Sequence, residues 1–132
     1  MLLKLFTYSG LLFSGLSRSD FINVKNKRNL NELVDIHHII PREFKYHPTI
    51  LFSEYDIDNG YNLMFLPTQK GSVILNTHKD RPIHFDGHKK YNRYVAIVLD
   101  EMFTESKTGQ HNLCKLNKKL KQNMRHQNVP WN

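Results

Sequence analysis

The chain has 132 residues, of which 39% are apolar and 11% aromatic, so it can fold as one domain with a modest core and is not expected to be disordered. Nineteen Lys and Arg against twelve Asp and Glu give a net charge of +7 with neutral histidines; this favours a polyanionic partner, with nucleic acid ahead of an anionic membrane surface. Cys114 is the single cysteine, which excludes an intrachain disulfide and a cysteine-rich zinc site and is consistent with a reducing compartment.

The first 31 residues are predicted to form an apolar segment followed by a basic connector. Residues 1–16 are mostly apolar, but polar residues interrupt the run at 7–10 and no clean cleavage site follows, so a core-packing segment is favoured over a signal peptide. No stretch reaches the roughly 18 apolar residues that a membrane span needs. Residues 17–31 are polar and basic and keep neither a helical nor a strand period.

Residues 35–41, Asp-Ile-His-His-Ile-Ile-Pro, predict a short β-strand that carries two adjacent histidines and is ended by proline. Successive side chains of a strand point to opposite faces, so we expect His37 and His38 to face different surroundings. One imidazole can then bind a metal ion while its neighbour takes a different task.

The next segments are predicted from turn signals and one apolar run. Residues 42–61 are expected to be a loop, because they contain Pro48 and an Asp-Asn-Gly turn at 58–60. A second strand is predicted over residues 61–66, ended by Pro67. Residues 68–87 carry several turn signals and are expected to be irregular.

An amphipathic helix is predicted to begin near His88, with Asp86 as its N-cap and Gly109 as its stop. Its apolar stripe follows the helical period and consists of Tyr91, Tyr94, Val95, Val98, Leu99, Met102 and Phe103.

A last helix is predicted near residues 111–126, with an apolar side formed by Leu113, Leu116, Leu120 and Met124. No acidic residue interrupts its basic residues, which predicts contact with nucleic-acid phosphates; the alternative is an ordinary solvated face. These basic residues are Lys115, Lys118, Lys119, Lys121 and Arg125.

A second histidine pair, His84 and His88, follows the first with a spacing of four residues. Imidazole is the commonest metal ligand in proteins, and its usual pKa near neutrality also makes it a general base. Together with residues 37 and 38, this grouping indicates a small metal-dependent hydrolase. The remaining histidines are expected to be surface or capping residues: His47, His78, His111 and His126.

Two strand-like segments and then a helix, with histidines on the first strand and at the helix start, suggest a ββα-metal arrangement in a single α+β domain with flanking helices. At this point the sequence resembles the HNH/endonuclease VII superfamily, and within it the branch named for an Ala-His-His motif. The resemblance covers about residues 32–104 and consists of three ordered motifs. They are residues 35–41, Asn-Leu-Met-Phe-Leu-Pro at 62–67, and His-x-x-x-His-x-x-Tyr at 84–91.

The resemblance implies a divalent metal site and a histidine base. Carried over by position, it implies that His37, His84 and His88 bind the metal ion and that His38 is the general base. It also implies that Asn62 either pins the loop that carries the base or approaches the metal ion; we favour the pinning role.

This sequence departs from the branch pattern at two positions, since Ile36 replaces the alanine and Leu63 replaces the usual glycine. Neither change removes a chemically active side chain. Tyr91 is a candidate phosphate donor, with core packing favoured. Asp35 and Asp86 are either partners of the histidines or simple caps.

The predicted function is a metal-dependent endonuclease that hydrolyses DNA with little sequence specificity, using a water molecule activated by a general base. Two alternatives remain: the same chemistry on RNA, and a noncatalytic, zinc-stabilised module that binds nucleic acid. One divalent ion is expected, Mg²⁺ or Zn²⁺ first, with Mn²⁺ or Ni²⁺ as alternatives.

The predicted organisation is an N-terminal segment and connector over residues 1–31, a nuclease core over 32–106 and a basic C-terminal helix over 107–132. The resemblance also raises a toxin-like or defence role, since relatives in the branch often occur as effector domains. On charge grounds, an acidic inhibitor or immunity protein would then be a partner. A cytoplasmic or nucleic-acid-associated location is favoured over a secreted effector.

Overall fold

A computed structural model of the chain describes residues 16–84, 88–126 and 128–131. Within these ranges the chain forms five α-helices and one two-stranded antiparallel sheet, so the fold is α+β as predicted. Two of the sequence predictions lie outside the described residues, namely the apolar segment as far as residue 15 and Asp86 as a helix cap.

The first helix, α1 (Arg18–Lys27), occupies the stretch that the sequence predicts to be a connector, so that prediction is wrong. The helix begins with a capping box: the Ser17 side chain accepts from the Asp20 amide, and the Asp20 carboxylate accepts from the Ser17 amide at 2.8 Å. Phe21 is the buried residue of this helix and packs against Phe65, with ring centroids 5.0 Å apart. Helix α1 is polar, and it is therefore stabilised by its N-terminal capping box and by the packing of one buried aromatic side chain.

The two predicted strands are present and pair with each other. Strand β1 (Val34–His38) lies antiparallel to β2 (Leu63–Pro67), and the register sets residue 34 opposite 67 and residue 38 opposite 63. All five residues of β2 are buried, because both faces of the hairpin are covered. One face packs on a small cluster of Phe21, Leu30, Val34, Leu63 and Phe65. The other face packs on the main core, a larger cluster that includes Ile39, Ile40, Ile57, Met64, Leu66, Tyr91, Val95, Leu99, Leu113, Leu120 and Met124.

The segment between the strands is more ordered than the predicted loop. It contains 3₁₀ turns at Arg42–Tyr46 and Gly60–Asn62 and a short helix, α2 (Pro48–Phe52). The Thr49 hydroxyl donates to the Leu99 carbonyl at 2.6 Å, a tertiary contact that local turn signals cannot predict. A turn lies slightly earlier than the predicted one, over residues 56–59, where the Asn59 amide donates to the Asp56 carbonyl.

Helix α3 (Gln69–Ile74) lies in the region that is predicted to be irregular, so this prediction is also wrong. The Thr68 side chain caps it by accepting from the Gly71 amide at 2.9 Å. A Cβ atom at Gly71 would lie 1.7 Å from the Leu33 carbonyl oxygen. Glycine is therefore required here for close approach to the end of the sheet.

Two long helices form the other wall of the main core. Helix α4 (Lys89–Thr104) buries Tyr91, Val95 and Leu99 of its predicted stripe, and α5 (Gln110–Arg125) buries Leu113, Leu120 and Met124. The predicted stop at Gly109 is wrong: α4 ends at residue 104, and Gly109, with φ of 113°, is the N-cap of α5. No helix in the described part of the chain is long and apolar enough to cross a membrane.

Candidate active site

His37 and His38 lie in different surroundings, as the alternation of a strand predicts. His37 is 2% exposed and contacts aromatic and imidazole rings of the main core. The side chain of His38 is 12% exposed, and its Nε2 lies 2.7 Å from an Asp58 carboxylate oxygen. The strand thus separates two imidazoles that are covalent neighbours.

Three of the predicted site histidines come together on the His37 side. One ring nitrogen from each of His37, His84 and His88 lies within 4.8 Å of the others, which is the geometry of a possible metal-binding group. The ring centroids are 5.1 to 5.5 Å apart. The start of α4 supplies His88, and His84 is fixed to the sheet because its backbone amide donates to the Pro67 carbonyl at 2.8 Å.

Hydrogen bonds to the ring nitrogens indicate which atoms face the centre of this group. His84 Nδ1 lies 3.2 Å from the Asp35 carboxylate, and His88 Nδ1 lies 2.9 Å from the Asn92 amide oxygen. Since both partners are acceptors, Nδ1 is the donor in each contact, and the neutral tautomer that makes this contact has its lone pair on Nε2. His37 Nε2 is buried without a hydrogen-bond partner among the described residues.

Burial holds the pKa of His37 well below its usual value, and repulsion from His88, His84 and His38 lowers it further. His37 is therefore neutral at physiological pH, which is the protonation state of a metal ligand. A buried ring nitrogen without a partner is costly, and coordination to a cation would satisfy it. The three imidazoles fit a divalent metal ion on these grounds.

Aromatic side chains enclose the three histidines. The Trp131 ring stacks on His88 at 5.0 Å between centroids, and its Nε1 donates to the Ile83 carbonyl at 3.0 Å. The Tyr91 hydroxyl donates to the Ile39 carbonyl, and its ring lies 5.5 Å from that of His37. Tyr91 is buried, so its position corresponds to the favoured core-packing role.

Asn62 is fully buried and makes four hydrogen bonds through its side chain. Its amide oxygen accepts from the Ile40 amide at 2.7 Å, and its Nδ2 donates to the carbonyls of Ile40 and Ile57. Asn117 of α5 donates to the same oxygen at 2.9 Å. Asn62 therefore connects the chain after the histidine pair to the chain before Asp58.

The predicted basic face of α5 is not one continuous surface. Lys115, Lys118 and Lys119 are exposed. Lys121, in contrast, is 5% exposed, and burial lowers its pKa to about 8. Arg125 is half-buried, and burial lowers its pKa as well. The helical position of the last two side chains turns them towards the protein interior, so the prediction of exposure is wrong for Lys121.

The four histidines outside the motifs lie apart from the group of three. His47 caps α2 and bonds Asp100, and His78 accepts from the Asp80 amide at 3.2 Å. His111 and His126 are exposed. These positions agree with the predicted surface and capping roles.

Sequence reasoning does not identify three residues that contact the site histidines. Asn92 lies one helical turn after His88, a spacing that could have revealed it. Asp58 stands out in the sequence only as part of a turn. Trp131 gives no local signal, because only the tertiary fold brings it to the histidines.

The family comparison agrees with this geometry. A family model, AHH, described as a nuclease family of the HNH/ENDO VII superfamily with conserved AHH, matches residues 21–127. The chain belongs to this family. No match was found among curated proteins or among solved structures. As a member of the AHH family the protein is a nuclease, and the superfamily resemblance seen in its sequence is confirmed.

The two departures from the AHH pattern leave the histidines in place. Ile36, at the alanine position, packs against the small cluster beneath α1, and Leu63 is fully buried in that cluster. Both substitutions add apolar contact on the face that α1 covers. The extra volume is used in packing and does not enter the group of three histidines.

Proposed function

We propose that this protein is a metal-dependent endonuclease that hydrolyses phosphodiester bonds of DNA with little sequence preference. The observation that carries the proposal is the convergence of three imidazoles on one face of β1, with a separate imidazole beside a carboxylate on the other. Membership of a nuclease family supports a nucleic acid as the substrate. The net charge of +7 supports attraction to a polyanion.

The proposed metal ligands are His37, His84 and His88. Imidazole nitrogens suit Zn²⁺ and Ni²⁺, whereas Mg²⁺ and Mn²⁺ prefer oxygen ligands and would depend on water and phosphate for the rest of their coordination. A divalent ion held by these three residues would supply positive charge to stabilise the negative charge that develops on the reacting phosphate. The Asp35 and Asn92 side chains keep two of the imidazoles in the tautomer that can bind it.

His38 is the proposed general base. It removes a proton from a water molecule while the water oxygen forms a bond to phosphorus. The bond from phosphorus to the 3′ oxygen breaks, and that oxygen leaves with the electron pair and takes up a proton. Burial lowers the pKa of His38, although the hydrogen bond to Asp58 opposes this effect, so the ring is available as a base near neutral pH.

We propose that Asn62 has a positioning role and holds the backbone near the base in place. Its hydrogen bonds fix the backbone just after the proposed base and just before its carboxylate partner. The exposed residues Lys115, Lys118 and Lys119 are proposed to contact phosphates along the substrate. Replacing any one of these lysines with alanine should reduce the salt dependence of binding by about 0.9 in the slope of log K against log salt.

The proposal is tested by removing metal from the purified protein with chelator and adding back Mg²⁺, Mn²⁺, Zn²⁺ or Ni²⁺ with plasmid DNA or single-stranded RNA. We expect nicking of plasmid with at least one ion and none with chelator. His84→Ala should lose both metal affinity and nicking, whereas His78→Ala, an exposed histidine outside the group, should keep both. Cleavage of RNA alone would indicate a ribonuclease, and no cleavage with any ion would indicate a binding module.

A further inference from the structure

The carboxylate of Asp58 faces the proposed base and not the proposed metal ligands. Its Oδ1 lies 2.7 Å from His38 Nε2, across twenty residues of sequence. We infer that Asp58 is a positioning residue for the reaction, holding His38 with its proton on Nε2 so that Nδ1 takes the proton from water. This inference rests on the proposed role of His38 as general base. It adds that Nδ1 is the nitrogen that accepts the proton and that Asp58 is the residue that orients the ring.

The choice of nitrogen follows from hydrogen-bond chemistry. An ionised carboxylate only accepts hydrogen bonds, so Nε2 must be the donor in this contact. The hydrogen bond from His38 lowers the pKa of Asp58, and attraction to Arg42 adds to this, so the carboxylate is charged at neutral pH. A neutral imidazole with a proton on Nε2 keeps its lone pair on Nδ1. Among the described residues, no group donates a hydrogen bond to that atom.

The backbone around Asp58 is fixed on both sides. Before it, Ile57 is buried in the main core and its carbonyl accepts from the Asn62 side chain at 2.7 Å. After it, Asn59 pairs with Ser17 in an isolated β-bridge. The Asp58 amide itself donates to the Asp56 carboxylate at 3.0 Å. The carboxylate is therefore held in place before substrate binds, which is what a positioning group needs.

A second histidine–aspartate pair in the same protein shows what a purely structural contact looks like. His47 Nε2 also lies 2.7 Å from a carboxylate oxygen, that of Asp100. Its Nδ1, however, accepts from the Thr49 amide at 3.1 Å and caps α2, so its lone pair is already used. The distance from Nε2 to the carboxylate oxygen is the same in the two pairs. Of the two histidines, however, only His38 has an acceptor nitrogen left for a water molecule.

The test compares Asp58→Ala and Asp58→Asn with the matched control Asp100→Ala in a plasmid-nicking assay with the ion that supports the wild type. We expect Asp58→Ala to lower kcat by at least about 10-fold, since partners that orient metal-bound imidazoles contribute about 10- to 100-fold and a carboxylate that orients a histidine base can contribute more, with KM changed by less than about threefold. Asp58→Asn should fall between, because an amide can either accept or donate. Metal affinity by calorimetry should stay within about twofold, and Asp100→Ala should keep wild-type kcat.

The tautomer gives a readout that a structural role would not change. A ¹H–¹⁵N correlation spectrum of the imidazole nitrogens, with the His38 signals identified by their absence in His38→Ala, should show the proton on Nε2 in the wild type. Asp58→Ala should show a mixture. A wild-type proton on Nδ1, unchanged kcat in both Asp58 variants, or equal reductions of metal affinity and activity would overturn the inference.

Failure of this inference can be told apart from failure of the proposed function. If His38→Ala abolishes nicking while both Asp58 variants keep it, His38 is a base that needs no carboxylate and only the inference fails. If His38→Ala keeps full activity, the role of the base itself fails. Should Asp58→Ala not fold, Asp58→Asn keeps the shape of the side chain and carries the same test.

Discussion

His37 and His38 are neighbours in the chain, but the two faces of the hairpin give them opposite environments. His37 lies among the rings of Tyr91 and Trp131, where burial keeps it neutral and its Nε2 has no hydrogen-bond partner among the described residues. His38 lies beside the charged groups of Asp58 and Arg42. An apolar enclosure favours a neutral ligand, whereas a carboxylate favours an imidazole that accepts a proton. The period of two residues in a strand is thus enough to separate the proposed metal ligand from the proposed base.

The sharpest test of this separation is His38→Ala. We expect the nicking rate to fall by about 10² to 10⁴, the usual contribution of a general base, without loss of metal affinity or of the folded state. Plasmid nicking, calorimetry and thermal melting measure the three quantities. His37→Ala in the same assays should lose metal as well as activity, so the separation would be refuted if the His38 variant also failed to bind metal.

On the side of the sheet that carries His37, Asp35→Asn tests whether a carboxylate orients one of the proposed metal ligands, His84. The carboxylate lies 3.2 Å from His84 Nδ1, and its removal should weaken metal binding by about 10- to 100-fold. Calorimetric titration with Zn²⁺ measures the change. Asp80→Asn is the matched control, since Asp80 lies near the exposed His78 outside the group. Equal affinities for the two variants would mean that Asp35 does not orient His84.

Lys121→Met tests how much a buried charge outside the proposed metal site lowers the free energy of unfolding. Burial lowers the pKa of Lys121 from 10.5 to about 8, so the charged ammonium destabilises the folded state at neutral pH. We expect the variant to be more stable at pH 7 by about 1 to 3 kcal/mol in urea unfolding, since each unit of pKa shift corresponds to about 1.4 kcal/mol.

The pH dependence of this effect has a definite sign. Between pH 8 and 10.5 the unfolded state binds more protons at Lys121 than the folded state, so wild-type stability rises with pH and the advantage of the variant shrinks. Lys118→Met, on the exposed surface of the same helix, should show no such trend. A constant difference across this range would mean that the buried ammonium is not the cause.

The smallest expected effect is that of Tyr91→Phe. The hydroxyl donates to the Ile39 carbonyl inside the core, and its removal leaves that carbonyl unpaired at a cost of about 1 kcal/mol of unfolding free energy. Chemical denaturation measures the decrease, with the exposed Tyr61→Phe as a control that should change little. Equal stabilities of the two variants would exclude a contribution from this bond.

Patterns that lie within one element could be predicted from the sequence. The strand of the histidine pair and the apolar stripes of α4 and α5 depend on neighbours in the chain, and the structure confirms them except at Phe103, which is exposed. Helix α1 is not predicted because it is polar and buries Phe21 alone; its clearest local signal is the capping box of Ser17 and Asp20. Helix α3 is not predicted because its Gly71 resembles a turn signal, although the glycine is needed for tertiary contact with Leu33.

Contacts across the fold are the part of the site that the sequence could not provide. Asp58 reaches His38 only because Asn62 fixes the loop that carries it. Trp131 reaches His88 only because α5 returns the chain to the start of α4. The charge of Lys121 predicts a surface position, whereas its place on α5 puts it in the interior. Residue type and spacing predict which histidines come together better than they predict the residues that contact them.

The stacking of Trp131 on His88 has an experimental consequence. Trp131 is the single tryptophan of the chain, and its ring also lies 5.4 Å from that of His37. The intrinsic fluorescence of the protein therefore originates beside the three clustered imidazoles. An ion with an incomplete d shell, such as Ni²⁺, should quench this emission when it binds there, and Zn²⁺ should not. Metal binding at the three histidines can therefore be tested by tryptophan fluorescence, without an added label.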